Sequence, residues 1–70
     1  MISYSPFFET IERKRVSLYY LRTRHGISNG TFHRMRKGMW LSTRSINDFC
    51  RILNCRVEDV MTYIPDDEGK

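Results

Sequence analysis

Residues that stop helices recur along this chain at intervals too short for any long element. Pro6, Gly26, Gly30, Gly38, Asn54 and Pro65 punctuate it. Gly, and after it Asn, accepts the left-handed backbone conformation found just past helix ends, and Pro cannot continue a helix. The pieces between these residues space their apolar side chains with a helical period. No piece of useful length alternates with a period of two, so no sheet is expected.

Ser5-Pro6 is expected to open the first helix. The Ser hydroxyl caps free amides, Pro tolerates the first helical position, and Glu9 suits the positive end. Phe7 and Ile11 share one face with Phe8 beside them, and the cations of Arg13-Lys14-Arg15 close the helix at its negative end. Ser17 caps a second helix, Leu18 to His25, whose apolar pair is Leu18 and Leu21. Gly26 sits just past its end and Ile27 turns inward. Ser28 caps a third helix that runs to about Lys37, carries Phe32 and Met35 three apart, and is ended by Gly38. Ser42 or Thr43 caps a fourth, in which Ile46, Phe49, Cys50 and Leu53 follow the i, i+3, i+4, i+7 spacing. Asn54 stops it. Val57, Val60, Met61 and Ile64 repeat that spacing and predict a fifth helix, with Glu58 and Asp59 in its first turn and Pro65 at its end. Residues 66–70 read as a frayed acidic tail. Five helices joined by connections of two to five residues make an all-α fold, a compact five-helix bundle.

Length and composition narrow the class. Seventy residues allow one domain, 1–70, with a small core. That leaves no room for a concave substrate pocket, so neither an enzyme nor a small-molecule substrate is expected. A chain that is 40% hydrophobic and 13% aromatic is too apolar for disorder. No uncharged stretch approaches the roughly 20 apolar residues of a membrane-spanning helix, and the start lacks the basic and apolar regions of a signal peptide. A cytoplasmic protein with no membrane partner is expected. The charge is uneven. Residues 1–44 carry nine basic and two acidic side chains, residues 45–70 three basic and six acidic, and the whole chain is +4. Such asymmetry suggests a cationic face that meets a polyanion.

The informative stretch is Ser17 to Gly38, SLYYLRTRHGISNGTFHRMRKG. A short helix, a tight turn opened by Gly26 and a second helix make a helix-turn-helix over about residues 17–38. Leu21, Ile27 and Phe32 are spaced to pack between the two helices. The second helix then presents Asn29, Gly30, His33, Arg34 and Lys37 outward, and a helix with polar and cationic ends fits the DNA major groove. Tyr19, Tyr20 and Trp40 read as rim packing. Trp40, which follows the second helix, is placed to cover the core or to touch the nucleic-acid backbone. Cys50 and Cys55 with His25 and His33 do not have zinc-ligand spacing. Cys50 also falls on the core face of its helix, so no metal and no cofactor are expected. No Ser/His/Asp arrangement or phosphate-cradling Gly loop is present.

Leu21, Gly26-Ile27-Ser28, Phe32, Arg36-Lys37-Gly38 and the run Ile46 to Ile64 resemble the phage-repressor helix-turn-helix proteins, the Cro/cI or XRE family. Within that run, Cys50 to Val60 looks like the family's closing helix pair. The resemblance covers about Pro6 to Pro65. It implies a lambda-repressor-like DNA-binding domain acting as a sequence-specific transcriptional regulator, bacterial or phage-encoded and nucleoid-associated when bound. By matching position it implies base contacts from Ser28, Asn29, Gly30 and Arg34. It implies phosphate contacts at the helix N-termini near Leu18 and near Thr43 and Arg44, with Arg36, Lys37 and Arg44 adding cationic contacts. Thr31 and His33 lie at the edges of the reading surface. Leu18 stands where the family often has Gln, and Arg22 where it often has Ala. One subunit reads about four or five base pairs, so a homodimer on a palindromic operator is the expected partner arrangement. The dimer surface is expected on the fifth helix and tail. The rival reading is a protein-interaction module, an antitoxin-like or anti-regulator scaffold whose DNA affinity is incidental.

Overall fold

The computed structural model describes residues 1–66, so most of the expected acidic tail lies outside the described residues. In chain order the elements are β1 (Ile2–Ser3), α1 (Ser5–Lys14), α2 (Leu18–His25), α3 (Asn29–Arg36), α4 (Thr43–Leu53), a single 3-10 turn (Val57–Asp59) and β2 (Thr62–Tyr63).

Three helices begin where a Ser hydroxyl can take up a free amide. The Tyr20 N–H donates to Ser17 Oγ (3.0 Å), the Thr31 N–H to Ser28 Oγ (3.2 Å) and the Ser45 N–H to Ser42 Oγ (3.2 Å). The first helix is capped differently from expectation. Tyr4, not Ser5, is its N-cap, with no side-chain bond to the helix, and Ser5-Pro6 forms the first helical turn. The ring of Tyr4 is needed in the core, where it is 4% exposed.

The helix ends follow the positions of residues that accept positive φ. Gly26 adopts φ 70°, and its geometry returns the Ile27 N–H to the Leu21 carbonyl (3.2 Å). That bond folds the turn between α2 and α3 back onto α2. Gly38 (φ 69°) and Asn54 (φ 50°) end α3 and α4. Arg15 ends α1 at φ 59°, a conformation uncommon for a residue with a full side chain. Past the ends of α1 and α3, the Val16 N–H reaches Ile11 O (2.8 Å) and the Met39 N–H reaches Arg34 O (2.9 Å). These bonds satisfy carbonyls that a helix otherwise leaves open.

The core is built from Tyr4, Phe7, Ile11, Leu21, Phe32, Met35, Ile46, Phe49, Leu53 and Val60. Phe7 is its centre, with ring centroids 4.8 Å from Phe49, 5.0 Å from Phe8 and 6.2 Å from Phe32. Pairs at such separations add to the gain from area burial. Phe7 comes from α1, Phe32 from α3 and Phe49 from α4, so this one cluster fixes α3 against the rest of the molecule. Ile27 and Leu18 pack at its margin.

The expected fifth helix is absent, and the described residues form four α-helices. Its apolar spacing does not describe a buried face: Val60 is fully buried, whereas Val57 is 48% and Ile64 47% exposed. The segment turns once. The Val60 and Met61 N–H groups both donate to Val57 O (2.9 and 3.0 Å). The Asp59 carbonyl, which would continue a helix, accepts instead from the buried Thr10 hydroxyl (2.8 Å). The chain then extends and pairs with its own N-terminus, so the expectation of no sheet is also corrected. β1 and β2 form a two-stranded antiparallel ladder, Ile2 opposite Tyr63 and Ser3 opposite Thr62. The Ile64 N–H continues it to Met1 O (2.7 Å). Residues rich in Val, Thr, Tyr and Ile favour extended backbone once a partner strand is at hand. A dimer surface on a fifth helix therefore has no such helix to occupy.

Candidate nucleic-acid interface

Helix α3 buries one side only. Phe32 and Met35 are its buried residues, while Asn29, Gly30, His33, Arg34, Arg36 and Lys37 are exposed. At about 100° per residue, Gly30, His33, Arg34 and Lys37 fall opposite the Phe32–Met35 side. Asn29 and Arg36 lie on one flank and Thr31 on the other.

The side chains at the head of α3 are organised before any ligand arrives. Ser28 is the N-cap, so its hydroxyl is engaged with the Thr31 N–H and with Thr31 Oγ1 at 3.1 Å. Thr31 is half-buried, and its hydroxyl also meets Arg34 Nη2 at 3.5 Å. Arg34 thus folds back along the helix toward its first turn. Its Nη1 lies 3.7 Å from where a Cβ on Gly30 would stand. Asn29 is the first helical residue, exposed beside this group.

Not every expected contact residue joins that surface. The Arg36 guanidinium lies over the Phe8 ring of α1, 5.5 Å from its centroid, so it covers the joint between α1 and α3 rather than extending beside Lys37. The Leu18 side chain packs against the core, leaving its backbone N–H at the head of α2 as the group that faces outward chemistry. Thr43 and Arg44 are the first two residues of α4 and both are exposed. The amide-rich N-termini of α2, α3 and α4 each carry the partial positive charge of a helix start.

Among the described residues, the basic side chains that form ion pairs lie beyond Arg44. Arg51 meets Asp48 (3.3 Å) and Arg56 meets Glu58 (3.5 Å). Among the described residues, none of the nine basic side chains between Arg13 and Arg44 has a carboxylate within ion-pair distance. Two of them lie against aromatic rings instead, Arg22 over Tyr19 (5.5 Å) and Arg36 over Phe8. These cations therefore present their charge to solvent.

Tyr19 is 67% and Tyr20 42% exposed, the latter edge-on to His25 at 5.3 Å between centroids. Trp40 is 86% exposed and does not cover the core. Cys50 and Cys55 are free and half-buried at the end of α4. Burial pushes the Cys55 thiol up, helped by Cys50 and Asp59 and opposed by Lys14. Among the described residues no group of three or more His, Cys, Asp or Glu side chains could hold a metal ion, and no helix is long and apolar enough to cross a membrane.

Comparisons with known proteins bear on the fold and the family. No curated protein sequence matches the chain. The crystal structure (form II) of a transcriptional regulator, VanUg, is similar in fold, with a TM-score of 0.81 at 25% identity over 93% of this chain and 87% of that one. The sequence profile of the Cro/C1-type HTH DNA-binding domain matches residues 9–66 and so takes in all four helices from the second turn of α1 onward. With its short α2, its Gly26 turn and an α3 exposed on its polar and cationic side, the chain belongs to the Cro/C1-type helix-turn-helix DNA-binding domains.

Proposed function

We propose that the protein is a sequence-specific, double-stranded DNA-binding transcriptional regulator and that α3 is its recognition helix, seated in the major groove. The observation that carries this reading is that the nine basic side chains of residues 13–44 are exposed and, among the described residues, free of ion pairs, with Arg34, Arg36 and Lys37 on or next to α3. In this arrangement Asn29 pairs with adenine and Arg34 with guanine, the bidentate matches their side chains allow. Gly30 lets the α3 backbone approach the base edges closely. Ser28, held as the N-cap, presents its backbone and the edge of its hydroxyl. Thr31 and His33 border the groove.

Phosphates on either side are taken by the N-termini of α2 and α4, at the amides of Leu18 and of Thr43 and Arg44, and by Lys37 and Arg44. Arg36 contributes charge from its place on Phe8. Each Lys or Arg that neutralises a phosphate releases counterions, so affinity is steeply salt-dependent. One α3 reads few base pairs, which argues for a homodimer on a palindromic operator with half-sites about one helical turn apart.

Selection of bound duplexes from a random pool tests all of this together. The expected result is an enriched inverted repeat with half-site centres about 10 base pairs apart. Recovery of no enriched sequence would overturn the reading in favour of the interaction-module alternative.

A further inference from the structure

We propose that Trp40 is a DNA-positioning residue: its indole packs on a deoxyribose of the backbone beside the recognition helix and donates its N–H to a phosphate oxygen. The inference rests on the seating of α3 proposed above and adds a contact that charge alone does not supply. Trp40 is the single tryptophan of the chain and is 86% exposed. It lies outside the core of ten buried residues, and the backbone on either side of it is anchored.

The loop that carries it is held at successive points. The Gly38 N–H donates to Met35 O (3.2 Å) and the Met39 N–H to Arg34 O (2.9 Å). The Met39 carbonyl accepts from the buried Tyr4 hydroxyl (2.9 Å). One residue later Leu41 packs against the core, and Ser42 caps α4. The Met39 backbone is bonded at both its N–H and its carbonyl and the Leu41 side chain packs against the core, so the backbone at residue 40 is held while the Trp40 side chain stays exposed. A side chain on a fixed stem loses little conformational freedom on docking.

Its neighbours identify the partner. Lys37 lies three residues before it at the C-terminal end of α3, and Thr43 and Arg44 follow at the head of α4. Trp40 therefore sits between two groups of expected phosphate contacts, on the stretch of loop that spans from one to the other. A flat apolar ring with a single N–H donor matches a sugar face with a phosphate beside it. The contact is indifferent to base identity, so it positions the domain rather than reading sequence. A second copy of the chain is the competing occupant of this ring.

The full-length protein is titrated against an end-labelled duplex obtained by selection and against an unrelated duplex, with anisotropy of the label reporting affinity. Indole emission, excited at the red edge of its band, reports Trp40 alone. The expected result is a change in Trp40 emission that saturates with the duplex. Trp40→Ala should bind both duplexes about tenfold more weakly, the size of one charge-assisted hydrogen bond with its apolar contact. Trp40→Phe, which keeps the ring and loses the N–H, should fall between the two. The salt slope should be the same for all three proteins, because no cation is removed, and thermal melts should be unchanged.

If the parent binds the selected duplex, its emission stays constant and Trp40→Ala binds like the parent, the Trp40 contact is refuted while the seating of α3 stands. Emission that shifts on concentrating the protein without DNA would assign Trp40 to self-contact and overturn the inference. A parent that binds no duplex overturns the seating of α3 and this contact with it.

Discussion

Gly30→Ala separates stability from function at one position. Gly30 is the second residue of α3 and has ordinary helical geometry, so a side chain meets no backbone strain there. A Cβ built on it would stand 3.7 Å from Arg34 Nη1 and 3.7 Å from Ser28 Oγ, which is ordinary contact. The free protein has room for the methyl group. Gly inside a helix costs about 0.5–1 kcal/mol relative to Ala, and the first turn lies at the lower end of that range. The variant should therefore be more stable by about 0.5 kcal/mol, a rise of about 2–4 °C in Tm for a domain of this size. The bound state is a different matter. Gly30 lies on the side of α3 opposite Phe32 and Met35, the side that the proposed seating brings to the base edges. A methyl forced into a closely fitted contact costs about 1–3 kcal/mol, about a five- to 150-fold loss of affinity. Calorimetry on the free protein and anisotropy titration with a selected duplex measure the two effects separately. A variant that melts higher and binds like the parent would show that the α3 backbone does not come close to the bases. A variant that melts lower would refute the account of the space around Gly30.

Four further perturbations test the remaining links. Arg34→Ala should cost about 1–3 kcal/mol on a selected site and relax preference at one base position, as read by competition with single-base variants. Lys37→Ala should weaken all duplexes alike and reduce the slope of log affinity against log salt by about one unit, measured over a salt titration. Phe32→Ala removes a ring that is 1% exposed and stacked toward Phe7. Its cost of about 3–5 kcal/mol is a large part of the about 4–10 kcal/mol expected for a domain of this length, so denaturant unfolding should begin in dilute denaturant. A chain ended after Asn54 loses Val60 from the core, the Asp59 carbonyl that receives Thr10, and the partner strand of Ile2–Ser3. Its circular dichroism should show a largely unfolded protein, and a cooperative melt near that of the parent would contradict the role given to this segment.

Caps and stops were legible because they are local. A Ser hydroxyl reaches an amide three residues on, and a residue with positive φ ends a helix, whatever else the chain does. Ser17, Ser28 and Ser42 begin helices and Gly26, Gly38 and Asn54 end them, at the positions their chemistry indicates. The failures occurred where two local solutions were close in energy. Val57, Val60, Met61 and Ile64 have helical spacing, yet the same residues suit a turn followed by a strand. The choice was made by contacts far away in sequence: Thr10 with Asp59, and Met1 to Ser3 with residues 62–64. Tyr4 replaces Ser5 as the N-cap for a similar reason, because its ring fills the core and its hydroxyl holds the loop at Met39.

The candidate interface divides along the same line. That α3 would be polar and cationic outside and apolar inside follows from the identity and spacing of residues 28–37 alone. Which of its cations extend and which lie on a neighbouring ring depends on what α1 places beside them, and so Arg36 on Phe8 could not be read in advance. Trp40 shows the limit most plainly. A tryptophan is ordinarily a core residue, and only the tertiary structure shows this one exposed, on backbone held between Met39 and Leu41. The sequence by itself determined the helices that have their own start and stop signals, the apolar side of each, and the excess of positive charge in residues 1–44, because all three act within a few residues. Tertiary structure decided the last segment, the N-terminal strand and the direction of individual exposed side chains, because there the local preferences nearly balance and a single distant hydrogen bond or packed ring tips them.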